Sequence, residues 1–216
     1  MKKKTLVFCL SLMGVLTLSS NAAMVITEWM YQGTGTGGAG EFIEFTNTGS
    51  SAIDMNGWSF WDSVTPVPTT RIDLSGFGMV APGQSVILTD ATAEDFRTAW
   101  GLGAGVAVIG SLSQNLGRAD AIQLYNAAGS LVDQLVYNDQ GTGNVKGPRT
   151  QGTSAITTPA NYGTDNASAW VLSTGDSLTW TSTLGTGSPG VAAIPEPSSL
   201  ALLGSMGALA FLRRRR

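Results

Sequence analysis

Short apolar stretches recur along residues 24–190, and Gly, Asn, Asp, Ser and Pro separate them. Each stretch is enriched in β-branched and aromatic side chains, which favour strands, and turn residues bound it on either side. The predicted strands cover residues 25–31, 41–47, 57–62, 84–90, 121–126, 131–137 and 169–173. Of these, 121–126 and 131–137 flank a turn at 126–129 and therefore predict a hairpin.

The alternation within these stretches predicts which side chains form the core. Successive side chains of a strand point to opposite faces. Ile43 and Phe45 are therefore expected inside, with Phe42 and Glu44 on the other face. The expected core also includes large side chains of the later stretches, namely Trp58, Phe60 and Ile122. Trp61 has the opposite parity to Trp58 and is expected to point outward.

Only one stretch, residues 91–100, has a helical pattern. Asp90 or Thr92 could cap it, acidic residues favour its first turn, and Gly101 ends it. Many short strands with a single short helix favour a β-sandwich over a parallel α/β fold. The expected fold is all-β, with one domain over residues 24–190. Residues 141–166 lack a strand pattern and are expected to form a surface loop or an insertion.

The first 23 residues have the pattern of a secretory signal peptide. Three lysines precede an apolar run from Leu6 to Leu18, and small residues follow it. Cleavage is expected after Ala22 or Ala23, with a retained membrane anchor as the alternative. A lipoprotein signal is disfavoured because Cys9 lies inside the apolar run. Since Cys9 is the only cysteine, the mature chain has no thiol, and its stability must come from a packed core.

The C-terminus, residues 191–216, combines three elements. The triplet Pro195, Glu196 and Pro197 precedes an uncharged stretch, residues 198–212, which is expected to form a transmembrane helix. Four arginines follow it: Arg213, Arg214, Arg215 and Arg216. As a helix the stretch is about 22 Å long, short for a hydrocarbon core of about 30 Å. The arginines are expected to anchor it on the cytoplasmic side. A permanent C-terminal anchor is the alternative to a processed one.

Charge and residue types exclude several functions. Residues 24–194 contain fourteen acidic and five basic residues, and a nucleic-acid surface is normally basic. The chain has no histidine, so it cannot form a Ser-His-Asp triad or a zinc site of His or Cys ligands. Glu41 and Glu44 are three positions apart on a strand and face opposite sides. No catalytic residue and no enzyme activity are expected. Clustered buried carboxylates with raised pKa values would favour a hydrolase instead.

Binding sites have weaker signals. The oxygen-bearing residues Asp54, Asn56, Asp62, Asp139 and Asp165 could serve as calcium ligands. They form no recognised calcium motif, and neither a metal nor another cofactor is expected. Residues 33–40, GTGTGGAG, lack the Lys and Ser/Thr of a phosphate-binding loop and are expected to form a flexible loop. Four tryptophans could form a sugar-stacking platform if exposed, although most are expected in the core: Trp29, Trp61, Trp100 and Trp180.

The order of triplet, apolar stretch and arginine cluster resembles the PEP-CTERM sorting signal of Gram-negative bacteria. This resemblance implies cleavage near the triplet by an exosortase after transient insertion in the inner membrane. It also implies release to the cell surface or the extracellular matrix, typically where exopolysaccharide is made.

The central segment resembles the lamin-tail domain, an immunoglobulin-like β-sandwich. The resemblance rests on the order of residues 26–30, 41–49, 53–62, 81–90 and 117–137, with a late Trp170 and residues 187–190. It implies a non-catalytic binding or structural domain, whose partner would be exopolysaccharide or another surface protein. A carbohydrate-binding module is the alternative, and a hydrolase a distant third.

Overall fold

The computed structural model describes residues 24–63, 71–175 and 177–194. The predicted signal peptide (1–23), the triplet Pro195–Pro197, the predicted span 198–212 and the arginines 213–216 lie outside these residues. In the part of the chain that is described, no helix is long and apolar enough to cross a membrane.

Fourteen strands and one α-helix make up the regular structure of the described residues. The strands are β1 (Met24–Met30), β2 (Phe42–Asn47), β3 (Ile53–Asp54), β4 (Ser59–Trp61), β5 (Ile72–Asp73), β6 (Met79–Val80), β7 (Ser85–Thr89), β8 (Ala107–Ile109), β9 (Ala119–Tyr125), β10 (Leu131–Asn138), β11 (Ala155–Ile156), β12 (Val171–Leu172), β13 (Trp180–Ser182) and β14 (Gly185–Gly187). The helix, α1, spans Ala93–Trp100. The predicted all-β fold with one short helix is confirmed.

Two sheets enclose the main core. One has six strands in the order β12-β11-β1-β2-β7-β8, and the other has four in the order β10-β9-β4-β5. Ile43 and Phe45 of the first sheet and Ile122 and Phe60 of the second are fully buried between them. This arrangement is the predicted immunoglobulin-like sandwich, and it confirms the predicted parity of β2. Strands β9 and β10 form the predicted hairpin.

A third layer covers the other face of the six-stranded sheet. Phe42 and Ile87 point to this outer face and pack against Phe96 and Trp100 of α1. The hairpin β13–β14 adds Leu184 to the same cluster. Because both faces of the sheet are covered, every residue of β1 and β2 is buried, polar side chains included.

The helix begins and ends as the sequence indicates. Thr92, and not Asp90, is its N-cap, and its hydroxyl accepts a hydrogen bond from the Asp95 N–H at 3.1 Å. Gly101 ends the helix in the left-handed conformation, with φ 63°, which a residue without a Cβ adopts at no steric cost. Asp90 instead accepts a hydrogen bond from the Gly40 N–H.

Three local expectations differ from the structure. Trp58 directly precedes β4, and its carbonyl accepts a hydrogen bond from the Leu74 N–H. Its side chain is half-buried against the core rather than fully inside it. Trp61 is also half-buried rather than outward, and its indole N–H is buried with no partner among the described residues. Residues 141–166 contribute a strand after all, because β11 pairs with β1. Two residues are too few to give a strand pattern.

Candidate functional site

Two glutamates lie side by side on the outer face of the six-stranded sheet. Glu28 in β1 and Glu44 in β2 are direct cross-strand partners. A register shift between Ile26 and Glu28 marks a bulge at Thr27, which re-aims the side chains that follow it. The glutamates are 1% and 0% exposed, so each needs hydrogen-bond partners from its own surroundings.

The segment that follows β14 supplies most of the partners of Glu28. The Ser188 N–H donates to Oε1 at 2.7 Å, and the Ser188 hydroxyl donates to Oε2 at 2.8 Å. The Ser154 hydroxyl, which also bonds the Ser173 hydroxyl, donates to Oε1. Both oxygens of Glu28 are therefore bonded within the chain.

Glu44 is bonded in the same way. Its Oε1 accepts from the Thr27 hydroxyl at 2.7 Å, and its Oε2 accepts from the Gly190 N–H. A chain of hydroxyls continues from Thr27 through Thr46 to Ser85, each step at 2.7 Å. We call Glu28, Glu44, Ser188 and Gly190 the carboxylate latch, because the two side chains fasten the end of the domain to its central sheet.

Burial controls the protonation of the latch. Burial, with a smaller effect of the adjacent Glu44 carboxylate, raises the pKa of Glu28 to about 8. Burial also raises the pKa of Glu44, against the lowering effect of its hydrogen bonds. Two carboxylates this close share protons, so the pair holds at least one near neutral pH. The neighbouring cavity, between Glu28, Tyr162 and Leu178, measures only about 40 Å³, too little for a substrate.

A larger cavity lies beside a third glutamate, Glu41, which directly precedes β2. We call it the Glu41 cavity; it measures about 260 Å³. Polar groups line most of it, notably Gln32, Gly38, Glu41, Asp90, Asn115 and Arg118. It differs from the surroundings of the latch because it opens to solvent.

Glu41 itself is only 3% exposed. Its Oε1 accepts a hydrogen bond from the Leu116 N–H at 2.8 Å. Burial raises the pKa of Glu41 to about 9, and the nearby negative charges of Asp90, Asp120 and Asp62 add to this effect. Near neutral pH Glu41 is therefore protonated and can donate a hydrogen bond.

The opposite side of the cavity carries its positive charge. Arg118 Nε lies 2.8 Å from Asp139 Oδ2, which also accepts from the Tyr31 hydroxyl at 3.0 Å. The hydrogen bond from Arg118 lowers the pKa of Asp139. The salt bridge is made by Nε, and the Arg118 side chain also lines the cavity.

The glycine-rich loop, residues 33–40, forms one wall of this cavity. The loop is not an open chain, because the Gly33 N–H donates to Gly38 and the Thr34 N–H donates to Leu184 of the β13–β14 hairpin. At Gly38 a Cβ would come within 3.0 Å of the Gln32 amide nitrogen. The expectation of a flexible loop is therefore replaced by an internally bonded loop with a structural role.

The tryptophans do not form a sugar-stacking platform. Trp29 is fully buried, with its ring 4.1 Å from that of Tyr137. Trp100 is 3% exposed and packs on Phe42 and Phe96. Trp180 is half-buried with its ring edge on Trp100. The expectation that most of Trp29, Trp61, Trp100 and Trp180 lie in the core is confirmed, because the two-sided burial of the sheet draws them into packing.

The loop oxygens considered for calcium serve local structure instead. Asp54 accepts from the Asn56 N–H within one turn, and Asp165 accepts from the Val136 N–H. Within the described ranges, no three His, Cys, Asp or Glu residues group closely enough to hold a metal ion.

As predicted, Glu41 and Glu44 face opposite sides. The partnership of Glu28 with Glu44 was missed, although pairing residues 24–30 with 42–47 would have suggested it.

The fold defines a class, an immunoglobulin-like β-sandwich. A family model for the Lamin Tail Domain matches residues 17–139, more than half of the chain. The chain therefore belongs to the lamin tail domain family. A second model, for the PEP-CTERM protein-sorting motif, matches residues 193–216. No curated protein matches the chain.

The sorting motif makes the chain an exported protein that is anchored transiently in the membrane of a Gram-negative bacterium and processed by an exosortase. The matched lamin tail region ends at Asp139, yet β11 and the latch residues Ser188 and Gly190 lie beyond it. The sandwich is thus completed by residues outside the family match.

Proposed function

We propose that this protein is a non-catalytic structural or adhesive component of the cell surface or extracellular matrix. The latch is the observation that carries the proposal. Its last hydrogen bond to the sheet is made by the Gly190 N–H, and the triplet begins at Pro195. Removal of the tail at the triplet would leave every latch contact in place and release a complete domain.

The short connection also bears on how the protein is processed. The five peptide bonds between Gly190 and Pro195 span at most about 18 Å of extended chain. The sorting enzyme would therefore act beside a folded domain. A domain that serves outside the cell, with no thiol to support it, gains from a C-terminus fastened before the cleavage point.

The chemistry of the glutamates supports a non-catalytic role. Clustered carboxylates with raised pKa values are present, which is the pattern expected of a hydrolase. In the latch, however, internal donors occupy all four carboxylate oxygens. The adjacent space of about 40 Å³ admits no substrate. The raised pKa values then follow from burial and, for Glu28, from the neighbouring Glu44 carboxylate.

A carbohydrate-binding role is the second candidate. The tryptophans no longer favour it, but the polar Glu41 cavity does. Exopolysaccharide would then be the partner, and the cavity would contribute to adhesion.

Substitution of the triplet tests the proposed destination. In a host with the sorting enzyme, Glu196→Ala should leave the protein in the inner-membrane fraction, whereas wild type reaches the surface or the medium. Glu94→Ala is the matched control, since Glu94 is an exposed glutamate of α1. Immunoblots of cell fractions decide the outcome. Wild-type protein that stays in the inner membrane, or Glu196→Ala that reaches the surface normally, would contradict the proposal.

A further inference from the structure

The Glu41 cavity has hydrogen-bonding capacity that the protein does not use itself. Within the described part of the chain, the carboxamides of Gln32 and Asn115 make no hydrogen bond. The second carboxyl oxygens of Glu41 and Asp90 make none either, since their first oxygens bond Leu116 and Gly40. A cavity lined by unused donors and acceptors suits a polar ligand.

The loop chemistry keeps this space open. Gly37 has a positive φ of 75°, and a Cβ there would meet nothing within 4 Å. At Gly38 a side chain would press on the Gln32 amide nitrogen at 3.0 Å. The Gln32 amide is therefore left accessible because Gly37 and Gly38 beside it have no side chains.

The mixture of groups indicates what kind of ligand fits. Arg118 offers N–H donors, and the protonated Glu41 offers one O–H donor. Asp90 offers an acceptor oxygen. The carboxamides of Gln32 and Asn115 each offer a donor and an acceptor. An anion would meet Asp90, with Asp62 and Asp120 nearby. A divalent cation would meet the Arg118 guanidinium and a protonated Glu41. A neutral molecule with several hydroxyls satisfies all of these groups without adding charge.

We propose that the Glu41 cavity binds one neutral sugar residue through its hydroxyls. The volume agrees, since about 260 Å³ is just below the roughly 300–1,000 Å³ of sites for drug-sized ligands. The biological meaning of this site rests on the proposed function, because the ligand would be a residue of the surrounding polysaccharide. With some 13 ligand atoms, one sugar residue should bind with a Kd on the order of 1 mM.

Saturation-transfer NMR on the full chain tests the proposal, in a zwitterionic detergent without sugar head groups. The probes are the methyl glycosides of glucose, galactose and mannose, with methyl glucuronide and CaCl₂ as charged contrasts. At least one neutral glycoside should receive saturation and titrate with a millimolar Kd. Gln32→Ala and Asn115→Ala should each weaken it about three- to tenfold, the effect of one hydrogen bond. Asn144→Ala, an exposed amide in the 143–145 turn, should leave binding unchanged.

Three results would overturn the inference: no saturation of any neutral glycoside, equal binding by wild type and both cavity variants, or preference for methyl glucuronide. Calcium that displaces the glycoside, and does so less in Glu41→Gln, would identify a cation site instead and would also overturn it. None of these outcomes depends on where the protein is located in the cell. A negative binding result would therefore overturn the sugar site without affecting the proposed function, which the Glu196→Ala fractionation tests.

Discussion

The carboxylate latch and the Glu41 cavity use the same kind of residue in opposite ways. Glu28, Glu44 and Glu41 all lie on or beside β1 and β2, all are nearly fully buried, and burial raises the pKa of each. Around the latch, hydroxyls and backbone N–H groups of the same chain occupy every oxygen. At Glu41 only one oxygen is occupied, and the carboxamides of Gln32 and Asn115 and one oxygen of Asp90 are also unused among the described residues.

The difference shows what a perturbed pKa means in this protein. Burial alone raises the pKa of a carboxyl group, so the shift does not separate a structural glutamate from a functional one. The separation comes from whether the remaining hydrogen-bonding capacity is filled from within the chain. By this criterion the latch is structural, and the Glu41 cavity is the place where a ligand belongs.

Truncating a latch glutamate should have the largest effect. Glu28→Ala leaves the Ser188 N–H and two hydroxyls buried without their acceptor, and each such group costs about 1–3 kcal/mol. We expect the free energy of unfolding to fall by about 3–5 kcal/mol, measured by urea denaturation of residues 24–194. Glu41→Ala, whose partner Leu116 can bond water from the open cavity, should cost no more than about half as much. Equal losses would remove the distinction between the two regions.

Adding a methyl group compares the free space of the two regions. A Cβ on Gly187 would lie 2.7 Å from Glu28 Oε1 and 2.8 Å from Ser154 Oγ, so Gly187→Ala should cost about 2 kcal/mol. Gly37→Ala enters open space and should cost only the conformational penalty of its positive φ, about 1 kcal/mol. The midpoint of thermal unfolding of each variant, measured against wild type, compares the two losses of stability. A Gly187→Ala variant as stable as wild type would mean that the latch region can expand.

The sequence predicts the sandwich well because its strands alternate. The apolar side chains of residues 41–47 and 121–126 fall on alternate positions, and the structure buries Ile43, Phe45 and Ile122 as that pattern requires. The short helix was predictable from its caps. The C-terminal sorting motif was predictable because it is contiguous, and contiguous patterns need no knowledge of tertiary contacts.

The latch was not predictable from local pattern. Glu44 occupies the face opposite to the core, where a two-layer sandwich would expose it. Only the third layer, α1 with the β13–β14 hairpin, buries that face, and its contacts join residues up to 160 positions apart. For the same reason Trp29 and Trp100 could be read as candidates for exposure. Parity gives the face of a side chain, but it does not reveal whether another element covers that face.

The pH dependence of stability should separate the latch from ordinary surface acids. Glu28 has its pKa raised from 4.5 to about 8, so between these values the folded state holds a proton that the unfolded state has released. The contribution of Glu28 to stability should therefore be greatest below pH 4.5 and fall as pH rises towards 8, by about 1.4 kcal/mol per pH unit for one proton. Glu41 also holds a proton over this range, so Glu28→Gln should reduce the slope of wild type by about this amount in urea titrations at several pH values. A slope of the same size in the variant would place the responsible proton elsewhere.

The smallest effect is expected for Glu41→Gln at acid pH. At pH 4 the Glu41 carboxyl is protonated in the folded protein, since its pKa is raised from 4.5 to about 9, and it is largely protonated in the unfolded chain as well. A carboxamide has nearly the same shape and the same acceptor for the Leu116 N–H, so stability at pH 4 should change by less than about 0.5 kcal/mol. Above pH 4.5 the folded wild type keeps a proton that the unfolded chain releases, so wild type should lose about 1.4 kcal/mol per pH unit relative to the variant. Urea titrations at pH 4 and pH 7 measure both points on the same two proteins. If Glu41→Gln gains no stability relative to wild type between these pH values, Glu41 is ionised in the folded protein, and the donor that it offers to a sugar hydroxyl is lost with it.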